Sequence, residues 1–207
     1  MNFKRKARTR TNPYALTALS ALPVALLVGC GGSSEPALPQ LAAATPGTLQ
    51  SCSELATRIN FANTTITAAN AIAAGTLTVA GAPVREHCQV TGKMFQRVGP
   101  VDGKSYAIGF EMRLPTAWNG RFFYQANGGI DGNIGTATGA VGGGGPLDNA
   151  LSKGFAVLSS DAGHVGSMGP SFGIDPQARL DYGYQAVGKL TPMAKSAIQT
   201  AYGKGPD

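Results

Sequence analysis

The sequence has 207 residues, of which 43% are hydrophobic and 14% are charged, and its formal net charge is +6 at pH 7. A chain of this length suits one domain with a sizeable buried core. Five of its cationic residues lie within the first ten positions, and the other basic residues are scattered along the chain. The charge therefore forms no patch that follows a phosphate backbone, and we expect no nucleic-acid partner.

Residues 1–30 have the pattern of an export signal. A basic start precedes an apolar stretch, residues 15–28, which is too short to cross a bilayer as a stable helix. Small residues before Cys30 resemble a bacterial lipobox, so we expect a lipid on Cys30 that anchors the exported protein in the periplasm or at the outer membrane. An ordinary secretory signal cleaved near Cys30, giving a secreted protein, is the alternative. Residues 31–50 have the composition of a disordered tether.

The first part of the remaining chain, which starts at residue 51, reads as one short helix followed by strands. The helix covers residues 53–60, with Ser53 as a possible N-cap. Alternating polar and apolar residues then predict strands. These are residues 64–67, which continue into an ambiguous segment at 68–74, and residues 76–80, 87–96 and 105–114.

The last two of these strands are predicted to form an antiparallel pair. They are joined by a hairpin turn at residues 100–103, where an Asp-Gly pair tolerates positive φ. In the second strand the large apolar residues share one face: Tyr106, Ile108, Phe110, Met112 and Leu114. We expect this pair to open the sheet as a meander at one edge.

The centre of the sequence is a strand that ends in a glycine-rich loop. Residues 121–125 are aromatic-rich and are followed by Asn127-Gly128-Gly129 and by Gly132. A strand that ends in glycines with free N–H groups can hold an oxyanion, although Gly-Gly pairs are also common in ordinary turns. Trp118, just before the strand, is predicted to be exposed or half-buried in a turn.

A strand, helix and strand predict a βαβ unit and hence an α/β fold. The helix is expected at residues 147–153, with Asp148 as its N-cap and Gly154 at its end. Residues 155–159 form an apolar run that is typical of a buried parallel strand. A long helix is predicted from Arg179 to Tyr202, with its apolar residues at three- and four-residue steps. Pro192 predicts either a kink or a break and restart within this helix.

Four segments, in this order and at this spacing, resemble the tannase and feruloyl esterase family of α/β-hydrolases. The resemblance runs from about Cys52 to Asp207, and its most specific segments are EHCQVTG (Glu86–Gly92), LPTAWNGRFFY (Leu114–Tyr124), SSDAGH (Ser159–His164) and FGIDPQARLDYGYQAV (Phe172–Val187). It implies the N-terminal part of an α/β-hydrolase fold, in which an antiparallel meander leads into a parallel sheet. It also implies an exported serine esterase whose substrate is a small aromatic ester.

The resemblance assigns roles to individual residues. The backbone N–H of Gly129 would form half of an oxyanion hole, and Cys52 and Cys88 would form a disulfide, which export permits. Family members carry the nucleophile in a Gly-x-Cys-Ser-x-Gly-Gly turn, and this motif does not occur here. We therefore expect an N-terminal fragment that is inactive alone, with the triad and a calcium-stabilised lid domain beyond residue 207. No cofactor or metal is expected in these 207 residues.

Asp161 and His164 are three residues apart at the end of a predicted buried strand. Such a pair suggests a catalytic dyad or metal ligands, but no third ligand lies at a useful spacing, and the resemblance makes this turn structural. Asp175 and Arg179 lie at a helix start and are expected to pair as scaffolding. His87 is expected to be a strand residue with satisfied hydrogen bonds.

A function of a different class is also compatible with the sequence. The predicted tether, the disulfide and the apparent stop at Asp207 suit a non-catalytic periplasmic or surface lipoprotein. Its β-rich N-terminal half would then serve as a binding module.

Overall fold

The computed structural model describes residues 43–140 and 148–207. The predicted signal peptide, Cys30 and most of the predicted tether lie outside the described residues. Among the described helices, none combines the length and the apolar character that crossing a membrane requires.

The described chain contains nine strands, one short helix near its start and a C-terminal helical region. The strands are β1 (Gly47–Thr48), β2 (Thr64–Ile72), β3 (Thr78–Val79), β4 (Ala82–Pro83), β5 (His87–Val98), β6 (Ser105–Pro115), β7 (Ala117–Trp118), β8 (Phe122–Gln125) and β9 (Ala156–Ser160). The helical segments are α1 (Leu55–Arg58), a 3₁₀ segment (Gly166–Ile174), α2 (Pro176–Leu180), a π turn (Asp181–Gln185) and α3 (Ala186–Tyr202).

The main sheet has five strands in the order β2-β5-β6-β9-β8. Strands β2, β5, β6 and β9 pair antiparallel, whereas β8 pairs parallel with β9. The predicted antiparallel pair of β5 and β6 and the predicted parallel pair are confirmed, but the placement of β5 and β6 at the edge is wrong, because β2 pairs with β5 and forms the edge. The sheet is therefore mixed, with an antiparallel part that leads into one parallel pair, and this arrangement is consistent with part of an α/β-hydrolase fold.

The core lies between one face of this sheet and α3. The predicted apolar face of β6 is confirmed, because each of its five large side chains is at most 3% exposed. Helix α3 contributes a stripe of buried side chains to this core: Leu190, Met193, Ala194, Ala197 and Ile198. Burying one large apolar side chain stabilises a fold by about 1.5–3 kcal/mol, so this contact is a main source of stability.

The disulfide between Cys52 and Cys88 is confirmed, with a Cα–Cα distance of 5.5 Å and a sequence separation of 36 residues. It connects the segment before α1 to the start of β5. Helix α1 begins after Glu54 rather than after Ser53, and no side chain caps it. His87 is satisfied as predicted, with Nδ1 2.7 Å from the Arg85 carbonyl and Nε2 2.7 Å from Nη1 of Arg113.

The helix predicted between β8 and β9 is wrong in its described part, because residues 148–153 form turns. Their backbone donors bond to a neighbouring loop instead, since the Ala150 N–H donates to the Gly139 carbonyl and the Leu151 N–H donates to the Thr138 carbonyl. Asp148 forms an ion pair with Lys153 rather than a helix cap. Gly154 has a φ of +86°, but it ends a turn and not the predicted helix.

The long C-terminal helix differs from the prediction in its first half. A π turn at Asp181–Gln185 adds an extra residue to the helical repeat and rotates the apolar stripe. Leu180, Tyr184 and Val187 are consequently 40%, 63% and 49% exposed, although the periodicity placed them on the buried face. Helix α3 then continues through Pro192 without the break that was one of the two expectations.

The prediction for Trp118 is also wrong. Its side chain is only 1% exposed and stacks on Tyr202, with 4.4 Å between the ring centroids. The indole N–H donates to the Arg121 carbonyl at 2.7 Å, so the residue is part of the core and is not available to stack on a substrate.

Candidate functional site

The carboxyl ends of β8 and β9 lie side by side, since the two strands are parallel and Gln125 pairs with Ser159. In open α/β sheets, ligands bind beyond these ends. The loop after β8 is connected to the end of β9 by Asn127, whose Nδ2 donates to the Ser160 carbonyl at 2.8 Å and to the Ser159 hydroxyl at 3.1 Å. The glycine loop predicted from the sequence therefore lies at the position where such a fold binds ligands.

The glycine loop, residues 128–132, is fixed at its far end by backbone contacts. The Gly132 N–H donates to the Asp161 carbonyl at 3.1 Å, and the Gly166 N–H donates to the Gly132 carbonyl at 2.6 Å. A Cβ on Gly132 would lie 2.7 Å from the Gly166 Cα, so only glycine fits there. The loop end is thus locked against the turn that follows β9.

The other end of the loop is open. Gly129 has a φ of +69°, and a Cβ on Gly128 or Gly129 would meet nothing within 4 Å. In the described part of the chain, the N–H of Gly129 has no hydrogen-bond partner. An amide donor that is free, open to approach and located at the carboxyl end of a parallel pair can bind the negative oxygen of a ligand.

A cavity of about 50 Å³ lies beside this loop. Its lining includes Tyr124, Asp131, Ser160, Tyr182 and Val187. The cavity is much smaller than the roughly 300–1,000 Å³ of typical ligand pockets. It has room for a small group of a ligand but does not enclose an aromatic ester.

Asp161 and His164 do not form a hydrogen-bonded dyad. The Asp161 Oδ1 accepts from the backbone N–H groups of Gly109 and Gly163, both at 2.9 Å. Burial raises the pKa of Asp161 to about 6, and these backbone donors act in the opposite direction. The carboxylate therefore connects β6 to the turn after β9.

The imidazole of His164 is 1% exposed and stacks on Phe172, with 3.7 Å between the ring centroids. Neither ring nitrogen has a hydrogen-bond partner among the described residues. Burial lowers the pKa of His164, and nearby Asp131 opposes this effect. Residues 43–140 and 148–207 contain no group of three His, Cys, Asp or Glu side chains that could hold a metal ion.

Asp175 caps α2, because its Oδ1 accepts from the Ala178 N–H at 2.7 Å. Its ion-pair partner is Arg97 of β5, at 2.5 Å, rather than the nearby Arg179. Arg179 instead donates to the Gly173 carbonyl. The Arg97 guanidinium holds the pKa of Asp175 below its usual range. Sequence reasoning missed this pairing because the two residues are 78 positions apart.

Sequence reasoning also missed the contact of Tyr182 with the glycine loop. The Tyr182 hydroxyl donates to the Gly129 carbonyl at 3.2 Å. The helical periodicity placed Tyr184 rather than Tyr182 on the buried face, whereas in the structure Tyr182 contacts the loop and Tyr184 is exposed.

The sequence model of the family described as tannase and feruloyl esterase matches residues 88–207. Mono(2-hydroxyethyl) terephthalate hydrolase of Piscinibacter sakaiensis is 40% identical over 138 residues, which are 63% of this chain and 23% of that protein. A probable feruloyl esterase B of Emericella nidulans is 29% identical over 159 residues, which are 75% of this chain and 29% of that protein.

The fold is also found in solved structures. The crystal structure of feruloyl esterase B from Aspergillus oryzae has a TM-score of 0.60 and 22% identity, over 75% of this chain and 30% of that chain. The chain thus spans less than a third of the length of these relatives. Since the family match covers more than half of its residues, the chain belongs to the tannase and feruloyl esterase family.

Proposed function

We propose that these residues form the N-terminal part of the catalytic domain of a serine carboxylic-ester hydrolase. The observation that carries the proposal is the N–H of Gly129, which has no hydrogen-bond partner among the described residues and lies at the carboxyl ends of β8 and β9. Ester hydrolysis passes through tetrahedral intermediates whose carbonyl oxygen becomes negative, and such a donor stabilises that charge. One donor of this kind is worth about 3 kcal/mol of transition-state stabilisation.

The nucleophile, its histidine and its acid are proposed to come from sequence beyond these 207 residues, since the Gly-x-Cys-Ser-x-Gly-Gly turn does not occur in them. Gly169–Gly173 has the spacing Gly-x-Ser-x-Gly, but it lies in the 3₁₀ segment and not in a strand-to-helix turn, and the Ser171 hydroxyl donates to the Met168 carbonyl at 2.6 Å.

Ser159 and Ser160 do not fill the role of the nucleophile. Ser159 is buried and bonded to Asn127, and the Ser160 hydroxyl is 2.9 Å from the Tyr124 hydroxyl. Neither serine has a histidine partner in the described chain.

The sheet offers a place for that additional sequence. Strand β8 is the last strand of the described sheet, so one of its edges has no partner strand among the described residues. A further parallel strand beside β8 would continue an α/β-hydrolase fold and would bring its own carboxyl end next to Gly129. The much greater length of the matched relatives supports this reading.

The proposed substrate is an ester of an aromatic carboxylic acid. The relatives named above are a terephthalate monoester hydrolase and a probable feruloyl esterase, and both names denote aromatic acids. Export and a lipid on Cys30 remain proposals from the sequence alone, as does calcium in a lid domain.

The test is to express the complete gene product and, separately, residues 1–207, and to measure hydrolysis of methyl ferulate and of an aliphatic methyl ester. We expect the complete product to cleave the aromatic ester and residues 1–207 to show no turnover. A complete product that binds ferulate without cleaving any ester would support a binding module instead and would overturn the proposal.

A further inference from the structure

One side chain reaches the centre of the glycine loop from a distant part of the sequence. The Tyr182 hydroxyl donates to the carbonyl oxygen of Gly129 at 3.2 Å, across a sequence separation of 53 residues. Tyr182 belongs to the π turn, Asp181–Gln185, and not to regular α-helix. Single π turns inside helices often occur at functional sites, because they redirect side chains.

The rest of the loop shows why this contact matters. The residue before the loop, Asn127, is held by the hydrogen bonds of its side chain. The last residue of the loop, Gly132, is held by its backbone hydrogen bonds. Gly128 and Gly129 have open space around them, so packing does not fix their backbone. A weak turn contact of 3.3 Å joins the Asp131 N–H to the Gly128 carbonyl. Among the described residues, Tyr182 is therefore the one whose side chain hydrogen-bonds to Gly129.

Tyr182 is itself held in place. Its ring packs edge-on against Phe172, with 5.2 Å between centroids, and against His164, with 5.9 Å. The preceding residue, Asp181, is buried and pairs with Lys189 at 2.6 Å. A Cβ on Gly163 would lie 2.7 Å from the Asp181 Cβ, so the π turn lies directly on the turn that follows β9.

From this geometry, and resting on the proposed function, we propose that Tyr182 is a positioning residue for the oxyanion donor. Its hydroxyl fixes the Gly129 carbonyl and so limits rotation about the backbone of that residue. The N–H of Gly129 is then aimed at the place where the substrate oxygen becomes negative. A donor that is oriented before the reaction stabilises the transition state without first having to be reorganised.

The test is the variant Tyr182→Phe in the complete gene product, with Tyr184→Phe as the matched control. Tyr184 is exposed and lies in the same π turn, and its hydroxyl accepts a hydrogen bond from Gln185 rather than bonding to the loop. We expect Tyr182→Phe to lower kcat about 10-fold for methyl ferulate, with KM within about twofold and an unchanged Tm, because the ring and its packing remain. Tyr184→Phe is expected to match the wild type in all three.

A second measurement does not depend on activity. Hydrogen–deuterium exchange of the peptide covering residues 126–133 should be faster in Tyr182→Phe than in the wild type and in Tyr184→Phe. An active enzyme in which Tyr182→Phe keeps the wild-type kcat overturns the inference but leaves the proposed function intact. An inactive complete product rejects the proposed function, and unchanged exchange in the variant then rejects the loop contact itself.

Discussion

Asp161 and Gly109 hold each other by two hydrogen bonds. The Asp161 N–H donates to the Gly109 carbonyl at 3.1 Å, and the Gly109 N–H donates to the Asp161 Oδ1 at 2.9 Å. A Cβ on Gly109 would lie 2.6 Å from the Asp161 Oδ2, so this fit requires glycine. The pair joins the middle of β6 to the turn that carries His164, and it therefore sets the position of one wall of the candidate site.

The first prediction concerns the pH dependence of stability. Since burial raises the pKa of Asp161 to about 6, the folded state binds its proton more tightly than the unfolded state, whose pKa is about 4. Its stabilising contribution is complete below pH 4 and is lost as the pH rises through 6. Asp161→Asn keeps an oxygen that accepts both backbone N–H groups. The variant should equal the wild type at pH 4 and be about 2–3 kcal/mol more stable at pH 7.

Urea unfolding across this pH range measures the difference. Asp148→Asn is the control, because Asp148 lies on the surface. Its substitution should change neither the free energy of unfolding nor the pH dependence of that free energy. An Asp161→Asn variant that is less stable than the wild type at pH 7 would contradict the reasoning, since it would show that the ionised carboxylate is the form that holds the turn.

The second prediction concerns the pair between Arg97 and Asp175. Arg97→Met leaves a buried carboxylate with its helix cap but without its cation, and we expect a loss of about 3 kcal/mol in the free energy of unfolding at pH 7. Because Arg97 lowers the pKa of Asp175, this loss should shrink as the pH falls below 4. Adding Asp175→Asn, which keeps a capping oxygen, should restore most of the stability at pH 7. Equal stabilities for the single and double variants would refute the account.

The third prediction concerns the disulfide. It closes a loop between Cys52 and Cys88, which are separated by 36 residues. Replacing both cysteines by alanine should cost up to about 4 kcal/mol, chiefly because the unfolded chain gains freedom. Adding a reductant to the wild type should lower its Tm to about that of the double variant. The Tm of the double variant should not change. A wild type whose Tm is insensitive to reductant would argue against the bridge.

The fourth prediction compares two adjacent glycines. A Cβ has open space at both Gly128 and Gly129, but only Gly129 has a φ in the left-handed region, at +69°. Gly129→Ala should therefore strain the loop and lower kcat of the complete product by about 10- to 100-fold, whereas Gly128→Ala should cost less than about threefold. Kinetics with methyl ferulate measure both. Similar losses in the two variants would show that bulk, rather than backbone geometry, limits the reaction.

The β-rich half of the fold was predictable because period-two patterns fix it locally. The alternation from Tyr106 to Leu114 identified the buried face of β6, and the Asp-Gly pair at residues 102–103 identified the hairpin. The helical half was predicted less well. Its periodicity gave no sign of the π turn, which rotates Leu180 and Tyr184 into solvent. The segment from 148 to 153 is not helical, because backbone N–H groups in it bond to the neighbouring loop at Thr138 and Gly139.

The candidate site was also predictable from the sequence only in part. The glycines of the loop are visible in the sequence, and the resemblance singled out Gly129 among them. The contact of Tyr182 with this loop was not visible, because the two are 53 residues apart, and the pair of Arg97 and Asp175 was not visible because these residues are 78 positions apart. Trp118 was misplaced because the sequence does not show that Tyr202 stacks on its ring. Long-range pairing decided each of these cases.

The most direct test of the central claim is to locate the reactive serine of the complete gene product. The protein would be treated with a fluorophosphonate that labels activated serines, with methyl ferulate as a competitor, and digested for peptide mass spectrometry. We expect one labelled serine outside residues 1–207, with labelling reduced by the ester. A label on Ser159, Ser160 or Ser171, or no label on a product that nevertheless hydrolyses the ester, would contradict this expectation.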